Sequence, residues 1–185
     1  MNIVNIFDSS KKSETEKYEI CWNDEVYRNA PKSERRIELI AQHFNQFNAR
    51  RLIDLGVGTG RLCTLLQEKG FDITGVDIAS NCLDEDVYIK FIQQSIWEPV
   101  MGLYDGVICT DVLEHIPTGR VPAVIKNIER LAPHGYITIG LNREKLNPTG
   151  KPLHLTLKPA EWWNEKITFA DVDKTLKGNH AVARY

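Results

Sequence analysis

A chain of 185 residues can bury a core of its own, and 42% hydrophobic with 26% charged residues is the balance of an ordinary globular domain. A formal net charge of −2 gives no basic field for nucleic acid. No apolar run approaches the roughly 20 residues of a membrane span, and the N-terminus lacks the basic start and apolar core of a secretory signal.

Residues 1–17 are polar and charged after a short apolar start and are expected to be a mobile tail, with 18–185 as a single domain. The stretch YEICWNDEVYRNAP follows, dense in aromatics. KSERRIELIAQHFNQF places Ile37, Ile40, Ala41, Phe44 and Phe47 at helical spacing, with Pro31 and Ser33 as start signals. RLIDLG has the pattern of a short buried strand, and GRLCTLLQEKG that of a helix stopped by Gly70. DITGVD and VYIKFIQ are the second and third strands. Only IASNCLDED separates them, which predicts a short or irregular helix rather than a full crossover.

YDGVICTD is the fourth strand. RVPAVIKNIERLAPHG is a helix with Pro122 in its first turn and Val124, Ile128 and Leu131 on one face. YITIGLN is the fifth strand, KPAEWWNEKI a short helix, and ITFADV and HAVARY the closing strands. This alternation predicts an α/β, three-layer sandwich. Its ligand site should lie beyond the carboxyl ends of the strands, where strand order switches.

Cys21, Cys63, Cys82 and Cys109 include no CxxC pair, so neither a zinc site nor a redox pair is signalled. Cys63 and Cys109 sit in apolar runs and are expected to be small buried hydrophobes in a reducing, cytoplasmic setting. His, Asp and Glu do not cluster along the chain at ligand spacing, so no metal site is expected.

Between the first strand and its helix lies DLGVGTGRL, with glycines at Gly56, Gly58 and Gly60. Glycine permits positive φ and close backbone approach, and a helix N-terminus beyond it offers unpaired N–H groups. A dinucleotide fingerprint would need a third glycine at position 61, which is Arg61. A nicotinamide-dependent oxidoreductase is therefore disfavoured.

The chain resembles instead the class I S-adenosylmethionine-dependent methyltransferases. LIDLGVGTGRL looks like their first motif, and Asp77, closing ITGVD, like the acid that ends their second strand. YDGVICTDVLEHI looks like their fourth-strand motif in its small-molecule DVLEH form, and RLAPHGYITIGLN like the following helix and fifth strand. The resemblance covers roughly residues 51–142. It implies a mostly parallel sheet of about seven strands with an antiparallel C-terminal strand, a Rossmann-like methyltransferase fold, and S-adenosyl-L-methionine as cofactor.

Carried onto matching positions, the resemblance assigns cofactor contacts to Asp54, Gly56, Gly58, Gly60, Asp77, Ile78, Ser95, Ile96 and Asp111. Asp77 would accept the ribose hydroxyls, a task suited to an acceptor-only carboxylate. Asp54 would act on the methionine end directly, through water, or by bracing the loop. Ile78 and Ile96 would flank the adenine. Ser95 stands where the family usually has an acid near the adenine, a departure from the pattern.

His115 and His154 are the candidate catalytic bases, since an unperturbed imidazole titrates near neutrality. Glu114 is expected to be structural, bridging to a basic group or backbone. Tyr18, Trp22 and Tyr27 are expected as a lid, and one of Trp162 and Trp163 as core with the other covering a pocket. The acceptor side implies a small-molecule substrate, with oxygen, nitrogen and carbon acceptors undistinguished. No membrane or nucleic-acid partner is implied, and oligomeric state is not readable. The alternative reading is a cofactor-binding module of the same fold without transferase activity.

Overall fold

The computed structural model describes residues 3–30, 34–144, 147–168, 171–173 and 180–185. Pro31 and Ser33, and Phe169 and Ala170 of the ITFADV segment, lie outside the described residues.

One sheet is formed by β1 (Arg51–Leu55), β2 (Asp72–Asp77), β3 (Lys90–Gln93), β4 (Gly106–Thr110), β5 (His134–Gly140), β6 (Asp171–Asp173) and β7 (His180–Arg184). Its order is β3-β2-β1-β4-β5-β7-β6. Strands β1 to β5 pair in parallel, and β7 runs antiparallel to both β5 and β6. The α/β, three-layer architecture read from the sequence is therefore present, with seven strands and an antiparallel C-terminal strand. Strand order turns back between β1 and β4, so a crevice opens above their carboxyl ends.

Side chains alternate across each strand. Ile53, Leu55, Val107, Cys109, Ile137 and Ile139 face one side, where α5 (Val121–Leu131) packs with Val124, Ile128 and Leu131. Leu52, Ile108 and Tyr136 face the other, against α3 (Glu34–Gln46) and α4 (Arg61–Gln67). The α3 stripe buries Ile37, Ile40, Ala41 and Phe44. Phe47, read as part of that stripe, lies past the helix end, is 42% exposed and stacks on His134 at 3.8 Å.

The local structure of the N-terminal half differs from the sequence reading at two places. Residues 3–17 belong to α1 (Ile3–Asn23), which crosses the expected boundary at 17/18 without a break. Lys11 of this helix pairs with Glu98 at 2.7 Å, Cys21 is buried, and Tyr18 and Trp22 pack against the core, while buried Lys17 pairs with Glu14 within the helix at 2.5 Å. The connection between β2 and β3, expected to hold a short helix, contains turns only. A dozen or so residues leave little room for a crossover helix, and α1 and α2 (Glu25–Arg28) dock on this loop. Arg28 donates to the carbonyls of Asn81, Cys82 and Leu83 and pairs with Asp84 at 2.6 Å. Asn81 donates in turn to the Glu19 carbonyl at 3.0 Å.

Candidate active site

A cavity of about 650 Å³ opens at the carboxyl edge of the sheet. Its walls come from the turns after β1, β2 and β4, the end of β5 with the segment after it, and the inner face of α1 and α2. Gly56, Gly58, Asp77, Ile78, Ser95, Ile96, Asp111, His115 and His154 all line it. Asp54 and Gly60 do not.

All three loop glycines have positive φ. Their crowding comes from the protein itself. A Cβ on Gly56 would fall 2.4 Å from Val112 Cγ2, and one on Gly58 2.9 Å from the Trp22 ring. Gly60 caps α4 and abuts Leu83 and Val87. The loop is thus pinned between the turn after β4, the N-terminal helix and the β2–β3 loop. Asp54 sits beneath it, 2% exposed, accepting the Cys63 thiol at 3.4 Å. That bond ties the end of β1 to α4.

Asp77 is 7% exposed. One carboxylate oxygen accepts Gly58 N–H and the other Ala79 N–H, each at 3.0 Å. Burial raises its pKa, while these backbone donors oppose the rise. Each oxygen keeps a lone pair for a ligand in the cavity. Ser95 is 1% exposed and its Oγ has no protein partner, an orphan polar atom in the cavity wall. Asn127 of α5 donates to the Ile96 and Glu98 carbonyls, which fixes the segment after β3.

The turn after β4 begins at Asp111, held at φ +56, an unusual conformation for a residue with a side chain. Thr138 donates to one of its oxygens at 2.8 Å and Arg36 to the other at 2.5 Å. Burial pushes the carboxyl up, but Arg36 and Thr138 outweigh it and hold the pKa below the ordinary value. A tight 3-10 turn, Leu113–His115, then brings Glu114 and His115 to the cavity.

Glu114 is 1% exposed. Its Oε1 accepts Gly140 N–H at 2.7 Å, and Oε2 has no partner. The backbone bridge expected of it is present; the basic partner is not bonded. Burial, and then Asp111, raise its pKa well above the carboxylate range. His115 is half-buried, and its Nδ1 lies 2.8 Å from the Tyr18 hydroxyl. Enclosure, and then His154 and Lys17, push its pKa down to about 3. The direction is downward from the near-neutral value of an unperturbed imidazole.

His154 meets His115 edge-on with ring centroids 4.5 Å apart. Its Nδ1 donates to the Asn142 carbonyl at 2.5 Å, so Nε2 carries the lone pair. The Glu144 carboxylate accepts the N–H groups of Leu153 and His154, which shapes this segment. Glu114, His115 and His154 offer ligand atoms that all lie within 4.8 Å of one another. The three are brought together by the fold, since His154 lies 39 residues beyond His115 in the sequence.

Tyr18, Trp22 and Tyr27 line the cavity from α1 and α2, in the lid position read for them. Trp163 is fully buried; Trp162 packs at the core edge under Lys158 and Lys166 and does not reach the cavity. Arg36 and Glu144, missed at the sequence level, position the site through Asp111 and the His154 segment. All four cysteines are free and buried. Among the described residues no helix is long and apolar enough to cross a membrane.

A Rossmann-like sheet, a glycine turn after β1, an acid ending β2 and a cavity over the switch point define a class I S-adenosylmethionine-dependent methyltransferase. The chain belongs to that family, since the model of the methyltransferase domain matches residues 16–166. A ubiquinone biosynthesis O-methyltransferase of Rickettsia felis is 30% identical over 191 residues, covering 91% of this chain and 76% of that protein. Its counterpart from Erwinia tasmaniensis is 32% identical over 96 residues, and the match spans 46% of this chain and 40% of that enzyme's length. Among solved structures, magnesium protoporphyrin IX methyltransferase from Synechocystis PCC 6803 with bound SAM superposes with a TM-score of 0.67 at 16% identity, over 94% of this chain and 95% of that one. That likeness is one of fold.

Proposed function

We propose that this protein transfers a methyl group from S-adenosylmethionine to an oxygen atom of a small molecule. The observation that carries this reading is a single cavity with a donor-type half and an acceptor-type half. The residues fit the cofactor: Asp77 keeps free lone pairs for two ribose hydroxyls, and Ile78, Ile96 and Ser95, whose Oγ has no protein partner, line the same cavity on the adenine side. Bound there, the cofactor supplies an activated methyl on a sulfonium.

The chain's own work is positioning, the main source of rate in an in-line displacement. Gly56 and Gly58 set the floor, and Trp22 and Tyr27 cover it and exclude water. Asp111, kept ionised by Arg36, orients the turn after β4. Glu114, His115 and His154 line the other half of the cavity, where they offer hydrogen-bonding groups to an acceptor hydroxyl. The O-methyltransferase names of the relatives support oxygen as the acceptor atom.

The test is calorimetry with S-adenosylmethionine and NAD, followed by transfer of labelled methyl to a panel of hydroxylated, aminated and carbon-acid small molecules. Micromolar binding of the methyl donor without NAD binding, and label appearing as a methyl ether, are expected. NAD binding without a response to the methyl donor overturns the reading. Binding without transfer to any acceptor leaves a cofactor-binding module.

A further inference from the structure

We infer that Asp84 is a positioning residue for the cofactor: it fastens the aromatic roof made by α1 and α2 to the glycine turn, and so sets how fast S-adenosylmethionine enters and its demethylated product leaves. The inference rests on the cofactor and not on the choice of acceptor.

The loop between β2 and β3 stands between two parts of the donor half. Its backbone is tied to the floor. Asp84 N–H donates to the Thr59 carbonyl at 3.1 Å. Leu83 and Val87 lie against Gly60, where a Cβ would fall 2.9 and 2.6 Å from them. The Asp84 side chain, 13% exposed, takes two arginines. Its Oδ1 accepts Nη1 of Arg28 and its Oδ2 accepts Nε of Arg61, each at 2.6 Å. Arg28 is the last residue of α2, and Arg61 opens α4 directly after the glycine turn. Arg61 also donates to Asn29 Oδ1 at 3.0 Å. One carboxylate therefore joins roof and floor.

Arg28 is the roof's side of the joint. Its Nε donates to the Trp22 carbonyl at 2.9 Å, and its other donors reach the carbonyls of Asn81, Cys82 and Leu83. Those carbonyls orient the guanidinium, but the charge that answers it is Asp84. Trp22, whose backbone Arg28 holds, lays its ring on Gly58, with a Cβ there falling 2.9 Å from the ring. Trp22, Tyr27 and Arg28 line the same cavity as Gly58 and Asp77. A ligand bound for the glycine turn must therefore pass under this roof. The acceptor side of the roof is held separately, by Tyr18 on His115.

Asp84→Asn keeps the size of the side chain and the backbone bond to Thr59, so the floor stays in place. An amide has one acceptor oxygen, and its NH2 group cannot accept from a guanidinium. One arginine loses its partner, and two like charges are left facing a neutral group. The roof is freed and the floor is not. Opening of a cover comes before both entry and exit, so both rates rise together and the equilibrium affinity changes little.

The test uses the full chain. Association of S-adenosylmethionine is followed by stopped-flow tryptophan fluorescence, since Trp22 belongs to the roof. Dissociation is followed by chasing labelled cofactor with an excess of unlabelled. Both rates should rise about tenfold in Asp84→Asn, the size of change seen when one partner of a shielded charge pair is removed. Arg28→Gln should reproduce the effect, and the double variant should be no faster than either single one. Circular dichroism checks folding, and Arg28→Gln carries the test if Asp84→Asn does not fold. Unchanged rates in a folded variant overturn the inference. So does faster dissociation with unchanged association, which would make Asp84 a plain stabilising contact. These rates are read without any acceptor, so failure of the oxygen-acceptor reading leaves them untouched, and failure of the latch leaves that reading standing.

Discussion

The hydroxyl of Tyr18 lies 2.8 Å from Nδ1 of His115, 97 residues further along the chain. The bond joins the N-terminal helix to the turn after β4, so roof and acceptor wall are set by one contact. Tyr18→Phe keeps the ring and removes only that oxygen. Turnover is expected to fall by up to about tenfold, the order of one lost hydrogen bond of about 0.5–1.5 kcal/mol, with donor affinity nearly unchanged. Steady-state kinetics beside calorimetry separate the two. Equal losses in both would mean that the helix has shifted and that the hydroxyl has no orienting role.

Asp77→Asn tests the ribose contacts with little change in shape. The amide loses charge and one acceptor, and hydrogen bonds to charged groups are worth about 1.5–3 kcal/mol each. S-adenosylmethionine should bind at least tenfold more weakly by calorimetry. Because Asp77 also accepts Gly58 and Ala79 N–H, the amide variant is preferable to alanine, which would strand both donors. Wild-type affinity in a folded variant would move the ribose partner elsewhere.

Gly56→Ala introduces a Cβ 2.4 Å from Val112 Cγ2 at a residue with φ +80. Left-handed geometry costs about 1–2 kcal/mol and overpacking about 1–3 kcal/mol more. The double variant with Val112→Ala should recover the packing part and keep the backbone part. Thermal midpoints of the two single variants and the double variant give the coupling. Simple additivity would show that Val112 does not press on the loop.

His43 of α3 is 8% exposed and its Nε2 has no partner. Burial, and then Arg184, lower its pKa below 6.5. A folded-state pKa below the unfolded one means that the unfolded chain binds the extra proton first. Stability is then complete above about pH 6.5 and is lost as pH falls through that value toward the folded pKa. His43→Phe should show a smaller loss of thermal midpoint between pH 8 and pH 5. Parallel profiles would assign the acid sensitivity to other groups.

Much of the sheet was legible because both signals used are local. Two-residue alternation places Ile53 and Leu55 opposite Leu52, and the glycine turn with Asp77 marks the donor end. What stayed hidden depends on distant segments meeting. His154 reaches His115 only because Glu144 folds the stretch after β5 back on itself. Helix α1 carries no strong apolar stripe, and its anchors, Glu98 and His115, are far away in sequence. The loop glycines were legible as a tight turn, but not that Val112 and Trp22 are what crowd them.

The docking of α1 fixes an order of assembly. This helix is made before the distant residues that its described contacts reach, Ser80, Asn81, Glu98 and His115. Closing so long a loop adds little free energy, because the entropic penalty grows only with the logarithm of its length. It does delay the event, since contacts distant in sequence form slowly. The parallel strands therefore set before the roof arrives, and a nascent chain ending before His115 exposes its glycine turn uncovered. Pulse-labelled hydrogen exchange during refolding should record protection in β1, β2 and β4 ahead of residues 11–28. Protection of α1 at the same moment as the strands would mean that roof and floor form as one unit.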